Sequence, residues 1–110
     1  AYNVAPIVMA YLIAVIIRII QGSATVAMIT AAGMTAPLIG SGFSPVQLAL
    51  MVISIASGAS IMSHVNDSGF WLVSNYLGLT EKETFKSWTV MTTLLALTGF
   101  VAVAMFSLIF

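Results

Sequence analysis

Two short polar segments interrupt an otherwise apolar chain, and they hold the side chains able to do chemistry. The first runs from Arg18 through Gln21-Gly22-Ser23-Ala24-Thr25, and the second is Ser63-His64-Val65-Asn66-Asp67-Ser68. Arg18 lies one helical turn before the first turn, and a guanidinium carries donors matched to a carboxylate or a phosphate. Ser23 and Thr25 can cap the helix that follows, whose first N–H groups and dipole favour an anion. In the second segment, hydroxyl and amide groups suit a polyol, while the Asp67 carboxylate and His64 imidazole can exchange protons within a membrane.

Each feature also has a plainer reading. If the helix before it is a full span, Arg18 is an interfacial anchor with its stem in the apolar layer. Asp67 or Ser68 can serve only as the N-cap of the next helix, with His64 a satisfied polar neighbour. Between Gly22 and Ala36, eleven residues are Gly, Ala, Ser or Thr, and six of seven are so from Ser54 to Ser60, a pattern that lets membrane helices approach closely. A Ser/His/Asp hydrolase is the weaker reading, because Ser63 and His64 are adjacent and do not face each other on a helix. One His and one Asp make no metal site. No catalytic residue, metal ligand or cofactor is expected, and the chain reads as a non-enzyme.

Composition sets the environment of these segments. Of 110 residues, 61% are hydrophobic and 5% charged, with mean hydropathy +1.15; a soluble domain carries about 25% charged residues. The six charges are Arg18, Asp67, Glu81, Lys82, Glu83 and Lys86, which leaves the 48 residues from Ile19 to Asn66 without one. The lipid bilayer is the expected surrounding. Three basic and three acidic residues form no polybasic stripe, so nucleic acid is excluded as a partner. The absence of cysteine removes disulfides and thiolate chemistry.

The elements follow from this pattern, giving an all-α membrane protein. Val4 to Ile20 is apolar except for Arg18, and Val26 to Ile39 is a short second arm that Pro37 weakens before the Gly40-Ser41-Gly42 loop. Two short arms over residues 4–39, with a polar tip at 21–25, suggest a re-entrant helical hairpin; two tilted spans are the alternative. Ser44-Pro45 opens a helix. Residues 45–77 would be about 50 Å long as one helix, too long for a straight crossing. They are therefore expected as a broken transmembrane helix, Pro45 to Met62 and Phe70 to Leu77, with the break at 63–69. Gly78 ends it, Thr80-Glu81-Lys82-Glu83 has capping-box spacing, and residues 81–110 carry the last transmembrane helix, with Trp88 at the lipid interface. The lysines of loop 78–86 place that loop in the cytoplasm and the C-terminus outward. Three or four helices make half a transporter, and Ala1 stands at the start without Met, so the chain is expected to be part of a longer polypeptide.

At the two polar breaks the sequence resembles the gluconate:proton symporters of the gluconate permease family, within the ion transporter superfamily. The resemblance rests on residues 18–27 and on Ser63-His64-Val65-Asn66-Asp67-Ser68-Gly69-Phe70-Trp71. It continues through Gly78-Leu79-Thr80-Glu81-Lys82-Glu83-Thr84 and Trp88-Thr89-Val90. It implies the C-terminal portion of a bacterial inner-membrane, multi-pass carrier built from inverted repeats, each with a re-entrant hairpin and a broken helix. The N-terminal repeat of the same carrier is then a partner, and a homo-oligomer is allowed. Related sodium-coupled dicarboxylate carriers have Ser-Asn-Thr at the hairpin tip, where this chain has Ser23-Ala24-Thr25; loss of the amide favours H+ over Na+ as coupling ion.

The combined expectation is proton-coupled uptake of gluconate or a related sugar acid. Arg18 and the N–H groups after Gly22 would hold the carboxylate, and Ser23, Thr25, Ser63, Asn66 and Ser68 the hydroxyls. Asp67, then His64, is the choice for the proton-linked group. A sodium-coupled carboxylate carrier, a cation:proton antiporter of the same superfamily and a non-transporting helical membrane subunit are the alternatives.

Overall fold

A run of capped apolar segments folds as a chain of helices. In a computed structural model, which describes residues 4–39 and 44–109, every regular element is helical. α1 (Val4–Gln21) and α2 (Ala24–Ile39) are joined by Gly22-Ser23 alone. Gly22 sits at φ +77, with its N–H on Arg18 O at 2.8 Å, and Ser23 Oγ caps α2 by accepting from Val26 N at 3.2 Å. α2 runs through Pro37; the Gly40-Ser41-Gly42 loop expected after it lies outside the described residues.

α3 (Pro45–Ala59) opens with a reciprocal capping box. Ser44 Oγ accepts from Gln47 N, and Gln47 Oε1 accepts from Ser44 N. The helix stops at Ala59, and residues 60–67 form no helix before α4 (Ser68–Leu77). Met62 turns this passage at φ +45, a sparsely populated backbone region for a side chain of its size. Asp67 caps α4 by accepting from Gly69 N, and the left-handed Gly78 ends it. Thr80 and Glu83 form a second capping box at the head of α5 (Glu81–Thr84). A π turn over Phe85–Thr89 then leads into α6 (Val90–Ile109). Residues 81–109 thus make one helical stretch, the one among the described residues long and apolar enough to cross a membrane.

Small side chains set how closely the helices lie. Ala10 and Ala14 of α1, Ala27 and Ala31 of α2, and Met51, Ile55 and Ala59 of α3 form one buried cluster. A Cβ on Gly58 would stand 2.7 Å from Tyr11 O and 3.0 Å from Ala14 Cβ, so α3 can touch the α1 backbone only without one. Buried hydroxyls add to the helix contacts, Ser54 Oγ of α3 donating to Ile7 O of α1 at 3.0 Å and the Tyr11 hydroxyl of α1 to Ala96 O of α6 at 3.2 Å. Much of the outer surface of α6 is apolar and exposed, including Leu94, Leu97, Val101 and Leu108, as expected of a helix that meets lipid or further protein.

Gly58→Val should therefore force α1 and α3 apart at a cost of about 1–3 kcal/mol. In thermal unfolding of the full-length protein in detergent, this variant is expected to melt several degrees lower, with Gly58→Ala in between.

Candidate functional site

The turn between α1 and α2 meets the 60–67 passage, and each satisfies the backbone groups that the other leaves open. A helix that stops in apolar surroundings leaves its last carbonyls without partners. Those of α1 are met from across the break. His64 Nε2 lies 3.2 Å from Ile19 O, and Asn66 Nδ2 donates to Ile19 O and Ile20 O at 3.4 and 3.3 Å. The approach is so close that a Cβ on Gly22 would collide with the backbone carbonyl of Asn66. Gly22 is thus required both by its positive φ and by its neighbour.

Arg18, 3% exposed, is the centre of this junction. Its Nε donates to Ile61 O at 3.0 Å, Nη1 to Gly22 O at 2.7 Å, and Nη2 to Asp67 Oδ2 at 2.7 Å. One guanidinium therefore ties the end of α1, the turn after it and both sides of the break. Asp67 in turn accepts at Oδ2 from the Ser63 hydroxyl at 2.5 Å and at Oδ1 from Gly69 N at 3.2 Å. It is at once the cap of α4 and the partner of Arg18.

The last helix reaches the same point through Ser63, which is 1% exposed. Its N–H donates to Thr92 Oγ1 at 3.0 Å, its carbonyl accepts from the Thr89 hydroxyl, and its Oγ accepts from Trp88 Nε1 at 2.9 Å. The π turn supplies Trp88 and Thr89; such turns recur at functional positions in helices.

A cleft of about 430 Å³ opens beside this network. Arg18, Ser23, Thr25, Ser63, Asp67 and Ser68 line it, together with Trp88 and Thr92 of the last helix stretch. Six of the residues singled out in the sequence thus come together. Gly22 lies behind the wall, while His64 and Asn66 are turned to the end of α1 and do not line the cleft. Trp88 and Thr92 were not singled out as site residues. Their spacing of four residues on one helix face is the available signal, but a Trp beside two lysines reads as an interfacial anchor. Chemically, the cleft offers hydroxyls, the N-terminus of α2 and one ion pair in which Arg18 is buried and Asp67 partly so. Among the described residues, no three His, Asp or Glu side chains gather as a metal site would need.

Removing one member of a buried ion pair strands the other, at a cost of about 3–5 kcal/mol, whereas replacing both by apolar groups is far milder. Arg18→Met and Asp67→Leu should each destabilise the full-length protein in mixed-micelle denaturation. The double variant should regain a large part of the loss.

Comparison with known proteins matches residues 1–109 to the GntP family permease. The high-affinity gluconate transporter of Escherichia coli (strain K12) is 48% identical over 108 residues, which cover 97% of this chain and 24% of that protein. The gluconate permease of Pseudomonas aeruginosa is 46% identical over 107 residues, 97% of this chain and 24% of the relative. The uncharacterized permease YojA of Bacillus subtilis (strain 168) is 50% identical over 97 residues, 88% of this chain and 21% of the relative. This chain spans about a fifth to a quarter of the length of these curated relatives. No solved structure matches it. The likeness seen at the two polar breaks thus runs along the helices that frame the cleft as well, and the chain belongs to the GntP permease family.

Proposed function

We propose that this chain is the C-terminal portion of a secondary active carrier that takes up gluconate or a related sugar acid with protons across the bacterial inner membrane. The observation that carries the reading is the pair of buried Arg18 and partly buried Asp67 beside a hydroxyl-lined cleft, in a chain 46–48% identical to proteins named gluconate transporters and permeases. In this reading residues 4–39 are a re-entrant hairpin, 45–77 a broken transmembrane helix and 81–110 the last span. Together they form one of two inverted repeats, with the loop at 78–86 cytoplasmic and the C-terminus outward. The N-terminal repeat of the same carrier completes the site.

The geometry supports a particular order of events. Arg18 Nη2 cannot serve the Asp67 carboxylate and a substrate carboxylate equally, because both compete for the same donor. A proton arriving on Asp67 removes the competing charge and frees that donor for the sugar acid. Ser23, Thr25 and Ser68 stand around the same cleft to meet hydroxyls, and Ser63 reaches it already committed to Asp67. His64 and Asn66 act in this scheme by holding the end of α1, and Gly22 by allowing the close approach. Ala24 between Ser23 and Thr25 leaves that triplet without an amide side chain for sodium, which favours H+.

In proteoliposomes containing the full-length carrier, Arg18→Ala should reduce labelled gluconate uptake at least about 100-fold, the loss expected for a charge-assisted contact and its partner's stranding. Uptake at wild-type rate and affinity would remove Arg18 from the site. Asp67→Asn should abolish proton-driven accumulation and retain exchange. Replacing sodium by choline at constant pH should leave wild-type uptake unchanged, and competition by other aldonates, glycerate and dicarboxylates would define the substrate class.

A further inference from the structure

The final helix contributes an indole to the ion pair, and nothing in the transport scheme above uses it. Trp88 Nε1–H donates to Ser63 Oγ at 2.9 Å, and the Ser63 hydroxyl donates to Asp67 Oδ2 at 2.5 Å, the oxygen that Arg18 also bonds. Ser63 cannot easily turn away, since its N–H is held by Thr92 and its carbonyl by Thr89. With Oγ accepting from the indole, its one hydroxyl proton is left to point at Asp67. Donation into a hydroxyl also makes that hydroxyl a stronger donor in turn, the cooperative effect of a hydrogen-bond chain.

Resting on the coupling scheme above, we propose that Trp88 is a positioning residue: through Ser63 it aims a hydrogen bond at the Asp67 carboxylate and so sets the pH range over which the carrier accepts its proton. The other indole beside the break, Trp71, donates Nε1 to a backbone carbonyl, Val65 O, at 2.7 Å on the exposed side, whereas Trp88 reaches a carboxylate through the Ser63 hydroxyl. The charged or titratable groups lining the cleft are Arg18 from α1 and Asp67 itself. The final helix faces them with the uncharged Trp88, Thr92 and Leu95, and the neighbouring His64 is turned to Ile19 O. Trp88 thus acts on Asp67 by hydrogen bonding and not by charge.

The experiment is the pH dependence of labelled gluconate uptake by the full-length carrier in proteoliposomes. Each profile is normalised to its own maximum, so that poor insertion lowers amplitude without moving the midpoint. Trp88→Phe keeps a ring and loses the N–H. Its midpoint should move to higher pH by about half a unit, because the carboxylate form loses part of its hydrogen bonding and the proton is accepted more readily. Ser63→Ala, which removes the bond itself, should move it by about one unit in the same direction. Thr92→Val loosens the same serine without touching the indole and should shift the midpoint upward by a smaller amount, which provides the measurement if Trp88→Phe fails to assemble. Asp67→Asn should give a flat profile. A flat Asp67→Asn profile with Trp88→Phe and Thr92→Val at the wild-type midpoint overturns the positioning role alone. A wild-type profile from Asp67→Asn overturns the coupling scheme, and this inference with it.

Discussion

The last carbonyls of a helix have no partners within it, and the way those of α1 are met organises the molecule. α1 stops at Gln21, and the side chains of His64 and Asn66 come from more than forty residues away to bond Ile19 O and Ile20 O. Arg18 answers from the other side, donating to Ile61 O within the break and to Gly22 O within the turn. Two interrupted helices thus satisfy each other. Neither interruption would be tolerable alone in an apolar medium, where an unpaired peptide group costs several kcal/mol.

The ion pair is possible because that junction is already in place. A buried guanidinium and carboxylate offset their desolvation only when the geometry is good and the remaining polar atoms are bonded. Asp67 meets this condition with the Ser63 hydroxyl and the Gly69 N–H besides Arg18, and Arg18 with two carbonyls. The close helix contacts carry this accuracy to the site. Ala10, Ala14, Ala27 and Ala31 let α1 and α2 lie against each other, and Gly58 brings α3 onto the α1 backbone. Larger residues would separate the helices and with them the two halves of the junction.

The last helix joins through a local irregularity. The wider π turn at Phe85–Thr89 leads Trp88 and Thr89 to Ser63, and Thr92 follows one turn later. A helix that elsewhere presents an apolar surface thereby places three polar side chains, those of Trp88, Thr89 and Thr92, on a single serine. Trp88 and Thr92 also line the cleft, so the last helix and the site are one structure.

Local chemistry was legible from the sequence. The caps at Ser44 and Thr80, the left-handed Gly78, the cap at Ser23 and the helical arms on either side of each polar segment follow from short-range hydrogen bonding and steric preference, which neighbouring residues decide. Composition settled the apolar surroundings, and the motifs at residues 18–27 and 63–71 pointed to the family. What Arg18, His64, Asn66 and Trp88 touch could not be read there. Arg18 and Asp67 stand 49 positions apart and Trp88 and Ser63 25 apart, and such pairings depend on how closely helices approach and on a one-residue widening of a turn. Sequence alone determined that the chain breaks around two polar segments and which polar groups it has there, but it carried the third helix to Met62 and restarted it at Phe70, where the helices leave 60–67 open. Only the tertiary structure decided which of those groups bond each other and which face the cleft, because a side chain's partners are set by the backbone brought opposite it.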